Sequence, residues 1–202
     1  MITDKITISN SGAGINEALN LTEDFAAKLK LERKQSFHLR LLAEEMFSMV
    51  KTIAEDFSAK FWIQEENHDC ELHIEAKSEL DYQKRKELLS VSTHGKNIAH
   101  RGIMDKIREI IEAGLHSFGE SYDLQADYGT GMFHYGTLDA GMAETIYAWS
   151  LQKYKSDVEA NQSDALEEWD ELEKSIIANI ADDVKVGIHK DNIELIVQKK
   201  FN

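Results

Sequence analysis

Residues 37–53 constrain the fold most strongly, because their apolar side chains recur every three or four positions. That spacing places them on one side of an α-helix and predicts that this side is buried. One carboxylate, Glu45, interrupts the stripe, and a charge in an apolar seam is costly unless it is paired, hydrogen-bonded or facing a cavity. Glu45 is therefore a candidate functional residue; the alternative is a rim residue whose carboxylate reaches water. The apolar positions of the stripe are Phe37, Leu41, Leu42, Met46, Met49, Val50 and Ile53.

The remaining chain alternates between strand-like and helix-like spacing. Two alternating runs, residues 57–64 and 70–76, flank the polar residues 65–69 and predict a β-hairpin. Residues 145–154 fit either element, because Tyr147, Trp149 and Leu151 alternate while their neighbours also suit a helix; we favour a strand. The acidic residues 157–173 predict a solvated connection that leads into a helix. Further strands are predicted at residues 6–8, 184–188 and 193–197, and further helices at residues 15–29, 82–89, 103–115 and 169–180.

This element order predicts an α+β fold with the architecture of a two-layer sandwich. A mixed, mostly antiparallel sheet would be covered by helices on one face. The length of 202 residues suits a single domain over residues 1–202. Six of the 11 glycines lie in residues 114–141, which predicts an adaptable, lid-like loop.

Charge and cysteine content restrict the possible partners. The chain has 23 basic and 37 acidic side chains, a formal net charge of -14, and no basic run, so neither nucleic acid nor an anionic membrane is expected as a partner. A single cysteine, Cys70, excludes an internal disulfide and alternates with core positions, which favours a packing role. With no signal-peptide pattern and no long apolar run, the sequence predicts a cytoplasmic protein.

Two stretches resemble the GHKL ATPase fold of histidine kinases, and most closely the bacterial anti-sigma-factor serine kinases. Residues 41–50, LLAEEMFSMV, are similar to the N-box helix of that group, and residues 176–186 with 193–201 are similar to its closing helix and hairpin. The resemblance implies a histidine kinase-like ATPase fold, Glu45 as the general base, and ATP with Mg²⁺ as cofactors. It also implies a sigma factor or an anti-sigma antagonist as the type of partner.

Three features of the family pattern are missing. The family holds Mg²⁺ with an Asn four residues after the N-box Glu, but Met49 stands there, and a thioether does not replace a hard oxygen ligand. The Asp that reads adenine should follow the second hairpin strand, where this chain has Ala76 and Ser78. The glycine pair before the closing helix is absent from residues 171–175.

One segment, residues 90–97, has a composition that suits phosphate. Its hydroxyls, glycine, cation and amide precede a predicted helix, although the same cluster is typical of an ordinary loop and helix cap. No metal site is predicted, because the eight histidines lack zinc-ligand spacing. The candidate nucleotide or phosphate ligands are Ser92, Thr93, Gly95, Lys96 and Asn97.

Two functions follow from these patterns. The favoured hypothesis is a degenerate ATPase-fold protein that acts, as a homodimer, as a bacterial regulatory binding module without catalysis. Its partner surfaces would be the loop at residues 114–141 and the acidic stretch. The alternative is an ATP-binding enzyme, a serine kinase of the anti-sigma-factor type, with Glu45 as general base and phosphate bound in residues 90–97.

Overall fold

The computed structural model describes residues 1–9, 11–53, 57–78, 147–160, 172–189 and 192–201, with the single positions 103, 107, 110, 111 and 170. Strands and helices are distributed along the whole of this part of the chain. The strands are β1 (Ile6–Ser9), β2 (Phe57–Glu66), β3 (Asp69–Ser78), β4 (Tyr147–Ser150), β5 (Asp183–His189) and β6 (Asn192–Lys200). The helices are α1 (Ile15–Lys28), α2 (Arg33–Ile53), α3 (Leu151–Ala160) and α4 (Ile176–Ile180).

The strands form one six-stranded sheet in the order β1-β2-β3-β6-β5-β4. Every pairing among these strands is antiparallel, so the α+β prediction is confirmed while the predicted mixed sheet is wrong for this part of the chain. The strands β2 and β3 form one hairpin and β5 and β6 form another, so the strands within each hairpin are antiparallel. The two hairpins join where β3 pairs with β6, and these two strands also run in opposite directions.

Helices cover one face of the sheet, which we call the covered face. Helix α1 contacts β1 and β2, α2 contacts β3 and β6, and α3 contacts β4 and β5. Alternate strand residues point into this layer and join one buried apolar cluster with the helices, as expected for a sheet buried on one side. The strand residues in the cluster are Ile8, Ala59, Phe61, Ile63, Cys70, Leu72, Ile74, Ala76, Val184, Val186, Ile193, Leu195 and Val197.

A glycine allows α1 to approach β1 closely. Gly14 caps the helix with a left-handed backbone, φ 78°. A Cβ at this position would lie 2.0 Å from the carbonyl oxygen of Thr7 in β1. Only glycine fits this backbone and this contact without strain. The predicted inward face of α1 is confirmed by the buried Ala18, Phe25 and Ala26.

The turn of the first hairpin is tighter than predicted. The ladder extends to the pair Glu66 and Asp69, so the loop is the two residues Asn67 and His68 rather than residues 65–69. Both adopt positive φ, 53° and 70°, as the favoured two-residue hairpin turns require. The His68 N–H donates to Glu65 Oε1 at 3.0 Å, and this bond lowers the pKa of Glu65.

We favoured a strand for residues 145–154, and the described residues 147–154 instead divide into β4, which ends at Ser150, and the start of α3. The Ser150 Oγ accepts from the Lys153 N–H at 3.3 Å and donates to Asp183 Oδ1 at 3.0 Å. The Gln152 N–H also donates to Asp183 Oδ1, at 2.9 Å. A helix begins here because these groups satisfy its first N–H donors.

The closing helix is shorter than its sequence pattern predicted. Ser175 interrupts the helical residues 172–174 and begins α4, its Oγ accepting from the Ala178 N–H at 3.3 Å. In this last turn Ile176 is 46% exposed, whereas the next residue, Ile177, is buried.

Other predictions fall partly or wholly beyond the described part of the chain. Within the predicted helix at residues 103–115, Ile103, Ile107, Ile110 and Ile111 are helical and buried. The predicted helix at residues 82–89 and the glycine-rich loop at residues 114–141 lie outside the described residues. None of the helices in the described segments combines the length and apolarity needed to cross a bilayer.

Candidate functional site

Helix α2 carries the one predicted catalytic residue, and its buried face is rotated from the predicted stripe. Phe37 is 58% exposed, so its predicted burial is wrong, and Leu41 is only half-buried. The face turns because α2 packs against α1 on one side and against β3 and β6 on the other. The buried positions are Leu39, Leu42, Ala43, Met46, Phe47, Met49 and Val50.

Glu45 lies at the border of this face. Four residues of helix rotate the chain by about 40° past a full turn, which puts Glu45 next to the buried Met49 on the helix surface. Its side chain is half-buried, and among the described residues no hydrogen bond or ion pair involves its carboxylate. This position agrees with the rim alternative for Glu45.

The neighbouring carboxylate Glu44 has a structural role instead. Arg40 Nε donates to Glu44 Oε1 at 3.0 Å within α2. The same guanidinium pairs with Glu23 of α1, and these carboxylates raise the pKa of Arg40. Glu44 and Arg40 therefore link the more exposed sides of the two helices.

The two positions where the resemblance calls for nucleotide ligands are in the core. Met49 is 1% exposed and Ala76 is 6% exposed. Neither side chain offers a hard oxygen to Mg²⁺ or a carboxylate to an adenine amine. The candidate phosphate ligands Ser92, Thr93, Gly95, Lys96 and Asn97 lie outside the described residues.

A pocket of about 200 Å³ lies at the turn end of the β2–β3 hairpin. Carboxylates dominate its lining, so a phosphate placed there would meet repulsion. In the described part of the chain, no group of three or more His, Cys, Asp or Glu side chains is arranged so that it could hold a metal ion. The lining residues are Gln64, Glu66, Asn67, Asp69 and Glu71.

Cys70 is a core residue, as its alternation predicted. It is 1% exposed and belongs to the buried cluster. Burial, with the nearby charges of Glu65 and Asp69, raises the pKa of the thiol to about 12. A thiol in this state is not a nucleophile at neutral pH.

The sheet face away from the described helices, which we call the open face, holds a cluster that the sequence patterns did not predict. Trp62 of β2 and His73 of β3 are direct cross-strand partners. Their rings stack with an interplanar angle of 6°, and the ring centroids are 4.8 Å apart. Lys5 Nζ lies 3.8 Å from the Trp62 ring centroid, within range of a cation–π contact. The strand alternation could have placed both rings on the open face, but their pairing depends on the hairpin register.

The environment of His73 is both buried and charged. The residue is 7% exposed, and neither ring nitrogen makes a hydrogen bond within the described structure. Burial lowers the pKa of His73, and the Lys5 ammonium lowers it further, while Glu71 acts in the opposite direction. Burial therefore favours the neutral imidazole in the folded chain.

The described residues thus contain two chemically distinct features, the half-buried Glu45 at the border of α2 and the aromatic and charged cluster around His73. Glu45 could accept a proton from a group bound beside α2, whereas His73 could exchange a proton with its neighbours. A scan against models of protein families, a search of curated proteins and a search of solved structures each found no match to this chain.

Proposed function

We propose that this chain is a regulatory binding module with a degenerate GHKL-like ATPase fold, of the type found in bacterial anti-sigma-factor kinases. It acts in the cytoplasm by protein contact and without catalysis. The observation that carries the proposal is the burial of Met49, 1% exposed, at the position where the N-box resemblance calls for the Mg²⁺ ligand. A thioether packed into the core neither binds Mg²⁺ nor leaves room for an oxygen ligand there.

The fold and the surface charge support the same proposal. The described elements follow the order strand, two helices, hairpin, strand, helices and closing hairpin, and the two stretches that carry the resemblance lie in α2 and in α4 with the closing hairpin. The formal net charge of -14 favours a partner with a basic surface, and disfavours ATP, which is itself polyanionic, unless cations or Mg²⁺ compensate. We expect the partner to be a regulatory protein, of the sigma-factor or anti-sigma-antagonist type.

Thermal unfolding in the presence of nucleotide tests the proposal. A ligand at about 100 times its dissociation constant stabilises the native state by about 2.7 kcal/mol. We expect no shift of the unfolding temperature with millimolar ATP or ADP, with or without Mg²⁺. An Mg²⁺-dependent shift with ATP would contradict the binding-module proposal.

One observation favours a second candidate, an ATP-dependent serine kinase. Glu45 is half-buried and its carboxylate has no hydrogen-bond partner among the described residues, as expected of a base that awaits a substrate. Glu45→Gln should then abolish phosphate transfer and leave ATP affinity intact. Glu44→Gln is the matched control, because Glu44 is adjacent but pairs with Arg40. Under the binding-module proposal, neither variant changes any response to nucleotide.

A further inference from the structure

His73 lies between two carboxylates from different strands. Its Nε2 is 3.3 Å from Glu71 Oε2 on the same strand, β3. Its Nδ1 is 4.0 Å from Glu194 Oε1 on the neighbouring strand, β6. The side chain of His73 is 9% exposed, and the side chains of Glu71 and Glu194 are 30% and 26% exposed. The two nitrogens are thus shielded from water, yet neither is aligned for a hydrogen bond.

The two distances differ in the way that a neutral imidazole requires. Such a ring carries one N–H donor and one lone pair, on opposite nitrogens. We assign the N–H to Nε2, because a carboxylate approaches a donor more closely than a lone pair. The lone pair of Nδ1 then faces Glu194, and repulsion between the two acceptors accounts for the wider gap.

We propose that His73 Nδ1 and Glu194 Oε1 form a proton-binding site that links β3 to β6 on the open face. A hydronium ion transfers one proton to Nδ1 and leaves as water, so that one O–H bond breaks and one N–H bond forms. The new N–H donates to Glu194 Oε1 in a single N–H···O bond. Proton binding converts a repulsive contact into a charge-assisted hydrogen bond and draws the two strands' side chains together.

The charged groups around the site set its proton affinity. Glu71 and Glu75 approach from β3, and the first of these favours the proton on His73. Lys5, next to β1, disfavours the proton on His73, and its Nζ lies 3.8 Å from Glu75 Oε2. Lys60 of β2 pairs in register with Glu75, two residues along each strand from the Trp62 and His73 pair.

Burial acts on both partners of the site. It is the main cause that lowers the pKa of His73. Burial, together with the charges of Glu75 and Glu71, raises the pKa of Glu194. Burial therefore disfavours the charged form of each partner, and the proton held between Nδ1 and Oε1 is stabilised by the contact between the two groups.

NMR titration of the full chain with ¹³C-labelled histidine tests the proposal, with His73→Gln to assign the resonance. Glu194→Gln should lower the His73 midpoint by roughly one pH unit, because the carboxylate that stabilises the bound proton is lost. Glu194→Asp keeps the charge at a greater distance and should give a smaller decrease. The matched control is Glu66→Gln, an exposed acidic residue at the far end of β2, which should leave the midpoint almost unchanged.

Two results would overturn the proposal. The first is a His73 midpoint that Glu194→Gln and Glu66→Gln change equally, since the effect would then be only one of net charge. The second is a midpoint that responds to Glu71→Gln but not to either Glu194 variant, since the proton would then be held on the Nε2 side. Trp62 fluorescence, followed over the same pH range, supplies an independent readout of the stacked ring.

Discussion

The two faces of the sheet are built from the same strands but held together by different physics. On the covered face, Phe61 is 0% exposed and meets the Phe47 ring edge-on at 5.0 Å. One residue later, on the open face, Trp62 stacks on an imidazole and contacts an ammonium group. Burial of apolar area dominates the first face, whereas ring stacking and partly screened charges contribute to the second, beside the buried Ile196 that pairs with His73 in register. The open face therefore combines buried apolar groups with a titratable imidazole.

The largest expected effect comes from comparing one substitution on each face of the sheet. Phe61→Ala should lower the free energy of unfolding by about 4 kcal/mol, because it leaves a cavity under α2. Trp62→Ala should cost only about 2 kcal/mol, since it removes a stacked ring and a cation–π contact while water can enter the space. Urea unfolding followed by circular dichroism measures both. Equal losses would show that the open face behaves as a second core.

A second variant breaks the contact that holds α1 on the covered face. Gly14→Ala should cost about 3 kcal/mol, because it combines a left-handed backbone with a clash against the Thr7 carbonyl. Gly12→Ala is the matched control, with φ +87° but nothing within 4 Å of the added Cβ. It should cost only about 1 kcal/mol. Similar costs in the two variants would show that the clash is relieved by movement of α1.

A third variant tests the junction at which β4 ends and α3 begins. Asp183→Ala should cost about 2 kcal/mol, because the Gln152 and Val184 N–H groups and the Ser150 hydroxyl lose their acceptor. Asp157→Ala, on the exposed side of α3, should change the free energy of unfolding by less than about 0.5 kcal/mol. Loss of helical circular dichroism in Asp183→Ala before global unfolding would show that α3 frays separately. No difference between the two variants would contradict the capping role of Asp183.

The smallest expected effect is the pH dependence that His73, on the open face, gives to the free energy of unfolding. The pKa of His73 is lowered in the folded state. In the unfolded chain it takes up a proton near pH 6.5. Between these two values the folded chain binds fewer protons, so its free energy of unfolding falls as the pH decreases through this window.

Comparison of His73→Phe with the parent chain isolates this term. The variant keeps an aromatic ring against Trp62 but cannot titrate, so its free energy of unfolding should depend less on pH below pH 6.5. His38, whose pKa is also lowered by burial, is present in both proteins and cancels in the difference. Parallel stability curves between pH 7 and the lower end of the window would contradict the prediction.

Much of the sheet was predictable because strand alternation is a local property. The runs at residues 57–64 and 70–76 predicted a hairpin, and the strands of both hairpins occur where the sequence placed them. The candidate site was less predictable from the sequence. Phe37 and Leu41 formed an apolar stripe as regular as the true one, and only the contacts of α2 with α1 and the sheet selected Leu39 and Ala43 instead.

The sequence by itself determined the approximate positions of most described strands and helices and that a sheet is covered by helices, because period and turn chemistry act between near neighbours. Tertiary structure decided the features that join distant residues. Asp183 ends β4 and begins α3 from 33 positions away, and the pairing of β3 with β6 brings Glu194 to His73. Such contacts depend on strand order and register, which alternation along one strand leaves open, since the pattern repeats every two residues.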